Sequence, residues 1–116
     1  MAKVPVTPVD LEFNAASTPD VEAMTTDGAE LAVGDASKLV LLVENTDTDD
    51  VMTVTVKAGI YSDKDIGDLA VSVPISSKRF IGPFESARFE DATEKIQVET
   101  ASTGTLSGYI QAIKLP

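Results

Sequence analysis

The chain lacks the residues on which most enzyme and metal chemistry depends. None of its 116 residues is cysteine or histidine. Without cysteine there are no disulfides, thiolate zinc sites or cysteine nucleophiles. Without histidine, the commonest metal ligand and the usual general base at neutral pH are missing. Phosphate-binding and dinucleotide-binding glycine motifs are also absent. The sequence therefore predicts no catalytic residues, no cofactor and no enzymatic activity.

Aromatic residues and long hydrophobic runs are scarce. Aromatics make up 5% of the chain and tryptophan is absent. The core must therefore be built from Val, Leu, Ile and Ala, which suits β-sheets. No apolar run approaches the roughly 18 residues of a membrane span, and the first ten residues contain no sustained apolar segment. We expect synthesis in a cytosol and no association with a membrane.

Positive charge is also in short supply. Nine Lys and Arg residues stand against nineteen Asp and Glu residues, for a formal net charge of -10. Nucleic-acid phosphates and anionic lipids repel such a chain, so neither is an expected partner. The same charge keeps copies from aggregating at high concentration.

The strongest structural signal lies between Lys38 and Gly59. Leu39–Val43 is an unbroken apolar run, typical of a strand covered on both faces, whereas residues 52–58 alternate between apolar and polar. Residues 45–50 between them are short polar and acidic residues that favour chain reversal. This pattern predicts an antiparallel hairpin.

Further strands are predicted along the rest of the chain, with turn signals about every eight to twelve residues. They cover residues 69–75, 80–81, 87–89, 96–100 and 106–115. Residues 11–24 favour strand or loop over helix. The fold class is therefore all-β, a single-domain β-sandwich of jelly-roll or immunoglobulin-like type with about seven or eight short strands. Helix should account for about 5% of residues, far below the globular average.

The N-terminal residues 1–10 are predicted to form an extended arm, and residues 11–116 the sandwich. Pro5 and Pro8 exclude a central strand because proline fixes φ and cannot donate a backbone hydrogen bond. The arm is either a mobile terminus or a docking segment that presents Val4, Val6 and Val9 to a partner. Removal of residues 1–8 is expected to leave the melting temperature nearly unchanged.

The only local excess of positive charge is at Lys78, Arg79 and Arg88. These residues either pair with neighbouring acids such as Glu85 and Glu90 or form a contact patch for an acidic partner surface. Arg79 and Arg88 are the candidate contact residues in this region.

Two acidic loops could offer oxygen ligands to calcium. Asp47, Asp49 and Asp50 form one group, and Asp63, Asp65 and Asp68 the other. The second lacks the glycine position and the final glutamate of an EF-hand. Both groups are interpreted as turn residues in water, so no metal site is predicted, with a weak structural calcium site as the alternative.

Five strings carry a resemblance to a known family. They are LLVENT at residues 41–46, VTVKAG at 54–59, DLAVSV at 68–73, IGPFESARF at 81–89 and IKLP at 113–116. Their order resembles that of small virion proteins of tailed bacteriophages, of the head decoration or capsid-cementing type.

The resemblance implies a β-sandwich that binds the outside of an expanded capsid and stabilises it. Its partner would be the major capsid protein, its location the virion surface after synthesis in the host cytoplasm, and its oligomeric state a homo-oligomer, with a trimer favoured. The alternatives are another virion role, in the tail, the neck or host-surface adhesion, or a small calcium-dependent binding module.

Overall fold

The computed structural model describes residues 3–32, 36–59, 67–84, 86–89, 95–102, 104 and 106–116. These residues contain ten strands and two short helical turns: β1 (Val4–Pro5), β2 (Val9–Asp10), β3 (Val21–Ala23), β4 (Ala29–Ala32), a 3-10 turn (Ala36–Lys38), β5 (Leu39–Asn45), β6 (Met52–Val56), β7 (Leu69–Val73), β8 (Ser77–Ile81), α1 (Ser86–Phe89), β9 (Lys95–Ser102) and β10 (Gly108–Lys114).

The strands form two sheets packed face to face. Sheet A has the order β1-β4-β9-β6-β7, and sheet B has the order β2-β10-β5-β8, with β3 also paired to β10. The β1–β4 and β2–β10 pairs are parallel, and the other pairs in the described residues are antiparallel. The predicted all-β, single-domain β-sandwich is confirmed.

The core lies between the two sheets and is almost entirely aliphatic. Every second residue of β5 is buried, and β6 and β9 follow the same alternation. The two buried aromatic residues among those described, Phe84 and Phe89, meet edge to face with their ring centroids 5.4 Å apart. Each buried Val, Leu or Ile side chain stabilises the fold by roughly 1.5–3 kcal/mol. The alternation of buried and outward residues along β5, β6 and β9 identifies much of this core.

The strand count exceeds the expected seven or eight because of three short segments near the N-terminus. β1, β2 and β3 contain only two or three residues each. β3 lies within the stretch for which strand or loop was expected. Segments this short lack a readable period, so their pairing depends on the long strands beside them.

The expected hairpin between Lys38 and Gly59 is wrong. β5 and β6 are both strands, but β5 belongs to sheet B and β6 to sheet A. The chain therefore crosses from one sheet to the other between them. Short polar residues favour a reversal of the chain, but they do not determine whether the two strands pair with each other or face each other across a core.

The expected short strand at residues 87–89 is also wrong, since Ser86–Phe89 is a helical turn. Phe89 is buried against Phe84, and the Arg88 guanidinium lies 4.6 Å from the Phe89 ring centroid. A run of three residues is too short to distinguish a helical period from a strand period, so burial of the phenylalanine decides the local structure.

Residues 3–10 are extended, and they pair with both sheets. β1 adds to sheet A beside β4, and β2 adds to sheet B beside β10. Between them Val6 is 3% exposed, and its backbone N–H donates to the Glu30 carbonyl oxygen at 2.9 Å. The described part of the expected arm thus contributes a side chain to the core.

Candidate functional site

The outer face of sheet A is polar and internally paired. The Lys57 ammonium lies 2.8 Å from the Asp68 carboxylate and 3.8 Å from that of Glu99, and Lys95 lies 3.5 Å from Glu30. Thr53 and Thr55 occupy outward positions of β6 on the same face. Threonines and cross-strand ion pairs are the usual outer face of a solvated antiparallel sheet.

The outer face of sheet B is mostly apolar. Residues directly opposite each other on neighbouring strands point to the same side of a sheet. The register places Phe80 beside Leu42, Leu42 beside Gln111, and Gln111 beside Val21. A second row runs from Val40 through Ile113 to Val9. The sheet B face is defined as these outward residues together with Tyr109: Val9, Val21, Val40, Leu42, Phe80, Tyr109, Gln111 and Ile113. The register also places Glu44 and Lys78 on this side of the sheet, beside Tyr109.

Several of these side chains are strongly exposed. Phe80 is 73% exposed, Val21 is 46% exposed and Tyr109 is 45% exposed, while Val40, Leu42 and Ile113 are half-buried by their neighbours. Single exposed apolar residues are common on proteins, but a contiguous apolar face marks a site of interaction. The sheet B face is therefore the candidate functional site.

Basic residues flank the sheet B face at both ends of β5. Lys38 precedes β5, and Lys78 lies on β8 opposite Glu44 near the other end of β5. Arg79 follows Lys78 on the same edge strand. The register partner of Arg79 is the inward-facing Val43, so we call Lys38 and Lys78 alone the basic margin. Neither lysine forms an ion pair with another described residue, in contrast to Lys57 and Lys95 on sheet A.

Arg79 occupies an unusual position on β8. Its register partner Val43 points into the core, yet Arg79 is exposed because β8 is the edge of sheet B. The Arg79 Nη1 atom donates to the Lys78 carbonyl oxygen at 2.7 Å. An inward-directed charge and a shielded carbonyl oppose the addition of another strand at this edge.

The five contact residues predicted from sequence do not form one site. Val9 and Arg79 both belong to sheet B, on strands at its opposite edges. Val4 is half-buried on β1, and Val6 is in the core, where it cannot reach a partner. Arg88 lies near Asp68 and is held by the chain itself, because its Nε and Nη2 donate to the carbonyl oxygens of Gly67 and Asp68 at 3.0 and 3.4 Å.

Sequence reasoning missed most of the sheet B face. The sequence predicts strands at Phe80, Leu42, Tyr109 and Ile113, but it does not predict that these residues form a binding surface. A usable signal was present in the run Leu39–Val43, whose unbroken apolar character predicts apolar residues on both faces of the strand. The second layer expected over that run is not provided by the described residues, which leave Leu42 half-buried.

Asp68 is a described carboxylate whose hydrogen bonds shift its pKa. Its Oδ1 accepts from the Ala58 backbone N–H at 2.6 Å, and its Oδ2 accepts from the Lys57 ammonium at 2.8 Å. These hydrogen bonds, the one from Ala58 foremost, hold the pKa of Asp68 below its ordinary value. The same carboxylate raises the pKa of Lys57. Both groups stay charged near neutral pH, so they form a structural ion pair and are not suited to exchange protons with a substrate.

No group of three or more His, Cys, Asp or Glu residues in the described ranges is arranged to hold a metal ion. In the first acidic loop, Asp47 Oδ1 accepts from the backbone N–H groups of Asp49 and Asp50 at 2.8 and 3.3 Å, as a turn residue does. Asp63 and Asp65 of the second loop, and Glu85 and Glu90, lie outside the described residues.

Within the part of the chain that the structure describes, no helix is long and apolar enough to cross a membrane.

Comparison of the chain with protein-family models, curated proteins and solved structures found no match. The functional interpretation therefore depends on the resemblance stated above and on the surface of the protein.

Proposed function

We propose that this protein is a non-enzymatic structural component of a virion, one that decorates the outside of a tailed-bacteriophage capsid and stabilises the shell. The observation that carries the proposal is the asymmetry of the sandwich. One outer face is polar and ion-paired, while the sheet B face is apolar and open. Such a domain has one side suited to water and one side suited to a partner.

The acidic composition supports a role at high copy number. A net charge of -10 keeps free copies apart even though each exposes an apolar face. The protein can therefore accumulate in the host cytoplasm until its partner, the major capsid protein, has assembled. A binder that recognises only the assembled shell stabilises that shell by mass action.

The chemistry of the chain supports a binding role over a catalytic one. Cysteine and histidine are absent from the whole sequence. The described carboxylates with resolved partners, such as Asp68 and Asp47, hold loops together rather than converging in a cleft. Catalytic sites instead bring convergent polar groups with perturbed pKa values into a pocket.

Co-sedimentation with capsid shells tests the proposal. Purified protein would be titrated onto expanded shells of the major capsid protein encoded in the same genome, assembled without this chain. Saturable co-sedimentation and an increased melting temperature of the decorated shells are the expected results. Absence of saturable binding to expanded shells, or binding to isolated tails instead, would overturn the proposal.

A further inference from the structure

We propose that residues 3–10, called the strap, bind either their own sandwich or the same position on a second copy of this chain. The site that accepts the strap is the edge of β4 in sheet A together with the edge of β10 in sheet B. The inference goes beyond the proposed function and does not depend on it.

The strap is held at its site by strand pairing and one buried side chain. Two of its residues pair with β4, two pair with β10, and Val6 between them is 3% exposed. All of these contacts join the strap to the rest of the sandwich, so a strap from another copy makes the same contacts. Exchange therefore changes which copy is bound without changing the chemistry of binding.

The contacts are few enough for the strap to come away while the core stays folded. β1 and β2 contain two residues each, and both pair in parallel, which is slightly weaker per residue than antiparallel pairing. A cleft of about 200 Å³ lies between Pro5 and Pro8 of the strap and Glu30 and Lys95 of sheet A. Packing beneath the strap is therefore incomplete. While the strap is docked Val6 is out of reach of a partner, and opening releases it.

The linker, residues 12–20, is much longer than the docked form requires. β2 ends beside Lys114, and β3 begins beside Gln111 of the same strand, three residues or about 10 Å away. The ten residue steps from Leu11 to Val21 span up to about 33 Å. That reach is comparable with the dimensions of the protein, which are 38 × 36 × 23 Å. The linker is therefore long enough to carry the strap to a neighbouring copy.

The linker also lies away from the sheets. Residues 12–19 belong to no strand and are exposed. The chain turns at Phe13, which is 81% exposed, and at Asn14, whose φ is +58°. The Ser17 hydroxyl donates to the Asp10 carbonyl oxygen at 3.4 Å, which is long for a hydroxyl hydrogen bond. Opening of the linker therefore breaks little structure.

Charge and concentration determine when exchange occurs. Lys3 and Asp10 cancel, so the strap is neutral and the remaining residues carry the net charge of -10. Docking of a neutral strap adds no like-charge contact, but two acidic sandwiches repel each other until salt screens them. A flexible linker gives docking within one chain an effective concentration of roughly 1 mM. We expect separate copies at micromolar concentration and exchanged copies near millimolar concentration, with exchange favoured by salt.

Disulfide trapping tests the exchange, because the wild-type chain has no cysteine. Pro5 and Glu30 are register partners on neighbouring strands. Their separation of about 4.8 Å lies within the roughly 4.4–6.8 Å between Cα atoms that a disulfide spans. The Pro5→Cys and Glu30→Cys variants would be mixed, refolded together from urea at about 1 mM and mildly oxidised. A covalent heterodimer is expected, and its yield should fall at least about tenfold when refolding takes place at about 10 μM.

Two controls accompany the trapping. The double variant with both substitutions should close the same disulfide within one chain. Thr53→Cys replaces Glu30→Cys in the second control, because Thr53 is exposed on β6, two strands away from β4. Absence of the heterodimer while the double variant closes its disulfide would overturn the inference. Equal heterodimer yields with Thr53→Cys would also overturn it, since random collision would then explain the product.

Deletion of residues 12–19 tests the exchange without a disulfide. Leu11 and Val21 are then at most about 7 Å apart, which is too short for the gap along β10, so the strap can dock only on another copy. Sedimentation equilibrium should show an oligomer at concentrations where the wild type is monomeric, with a melting temperature near that of the wild type. A monomer with a lowered melting temperature contradicts the proposal. These experiments use no capsid shells, so their failure leaves the proposed function intact.

Discussion

The side chain of Asn45 joins the two sheets by donating from Nδ2 to the carbonyl oxygen of Val73 at 3.1 Å. Asn45 ends β5 in sheet B, and Val73 ends β7 in sheet A. The same Nδ2 donates to the Asp50 carbonyl at 2.9 Å, and Oδ1 accepts from the Asp47 backbone N–H at 3.0 Å. Asn45 is 1% exposed and its hydrogen bond to Val73 is buried, so the Val73 carbonyl has little access to water as an alternative partner.

Asn45→Ala should destabilise the fold by about 3 kcal/mol, because it leaves the buried Val73 carbonyl unsatisfied and removes two further, partly buried hydrogen bonds. Urea unfolding measured by circular dichroism gives the change in the free energy of unfolding. Thr48→Ala, in the same crossing loop at an exposed position, is the control and should change stability by less than about 0.5 kcal/mol. Equal effects of the two substitutions would show that Asn45 does not hold the crossing.

This crossing illustrates how much of the fold the sequence could predict. The alternation in β6 and β9 and the apolar run of β5 identified the long strands, because one-sided burial imposes a period of two. The sheet to which each strand belongs depends on distant pairings, such as β5 with β10 and β6 with β9. A local pattern that signals chain reversal does not contain that information, so the hairpin prediction failed while the predictions of these three long strands held.

Gly28 should not tolerate a side chain. Its φ is +82°, and a Cβ atom would collide with the Val98 carbonyl oxygen of the neighbouring strand. Gly67 is the matched control, because its φ is +93° but a Cβ atom there would meet no atom of the described residues within 4 Å. Gly67→Ala should cost only the conformational penalty of about 1–2 kcal/mol. Gly28→Ala should cost that penalty plus about 1–3 kcal/mol for overpacking, measured by urea unfolding.

If both alanine variants lose the same free energy of unfolding, backbone conformation alone accounts for the glycine at position 28. The contact with Val98 would then carry no cost.

The ion pair between Asp68 and Lys57 should make a small part of the free energy of unfolding dependent on pH. The folded-state pKa of Asp68 is lowered, so its contribution is fully present above its ordinary value of 3.8 and is lost as the pH falls through the folded value. The pKa of Lys57 is raised, so its contribution is fully present below 10.5 and is lost as the pH rises through the folded value. The pair is partly exposed to solvent, which keeps its contribution small.

A double-mutant cycle of Lys57→Met and Asp68→Asn measures this coupling. The interaction free energy should be favourable at pH 7 and should vanish as the Asp68 carboxylate becomes protonated in acid. Coupling that persists unchanged when Asp68 is protonated would exclude the ion pair as its source.

The candidate site was less predictable than the fold. Short local patterns predict Val9 and Arg79 as contact residues, and both lie on strands of sheet B. The contiguity of Phe80, Leu42 and Val21 arises only when strands distant in sequence lie side by side. An apolar residue in a strand is buried when another layer covers its face of the sheet and exposed when no layer does. The local sequence does not show whether such a layer is present.

Residues 3–10 should contribute strongly to stability, contrary to the expectation for a free arm. The backbone N–H of Val4 donates to the Gly28 carbonyl at 3.0 Å, that of Val6 donates to the Glu30 carbonyl at 2.9 Å, and the Val6 side chain is 3% exposed. Val6→Ala should therefore destabilise the fold by about 2 kcal/mol through lost burial and the cavity it leaves. Thr7→Ala, one residue further at an exposed position, is the control.

Deletion of residues 1–8 should lower the melting temperature by more than Val6→Ala does, since it also removes β1 and its hydrogen bonds to sheet A. A truncated protein with the wild-type melting temperature would instead mean that this segment can leave the sandwich at no cost, which is the behaviour of an arm available for a partner.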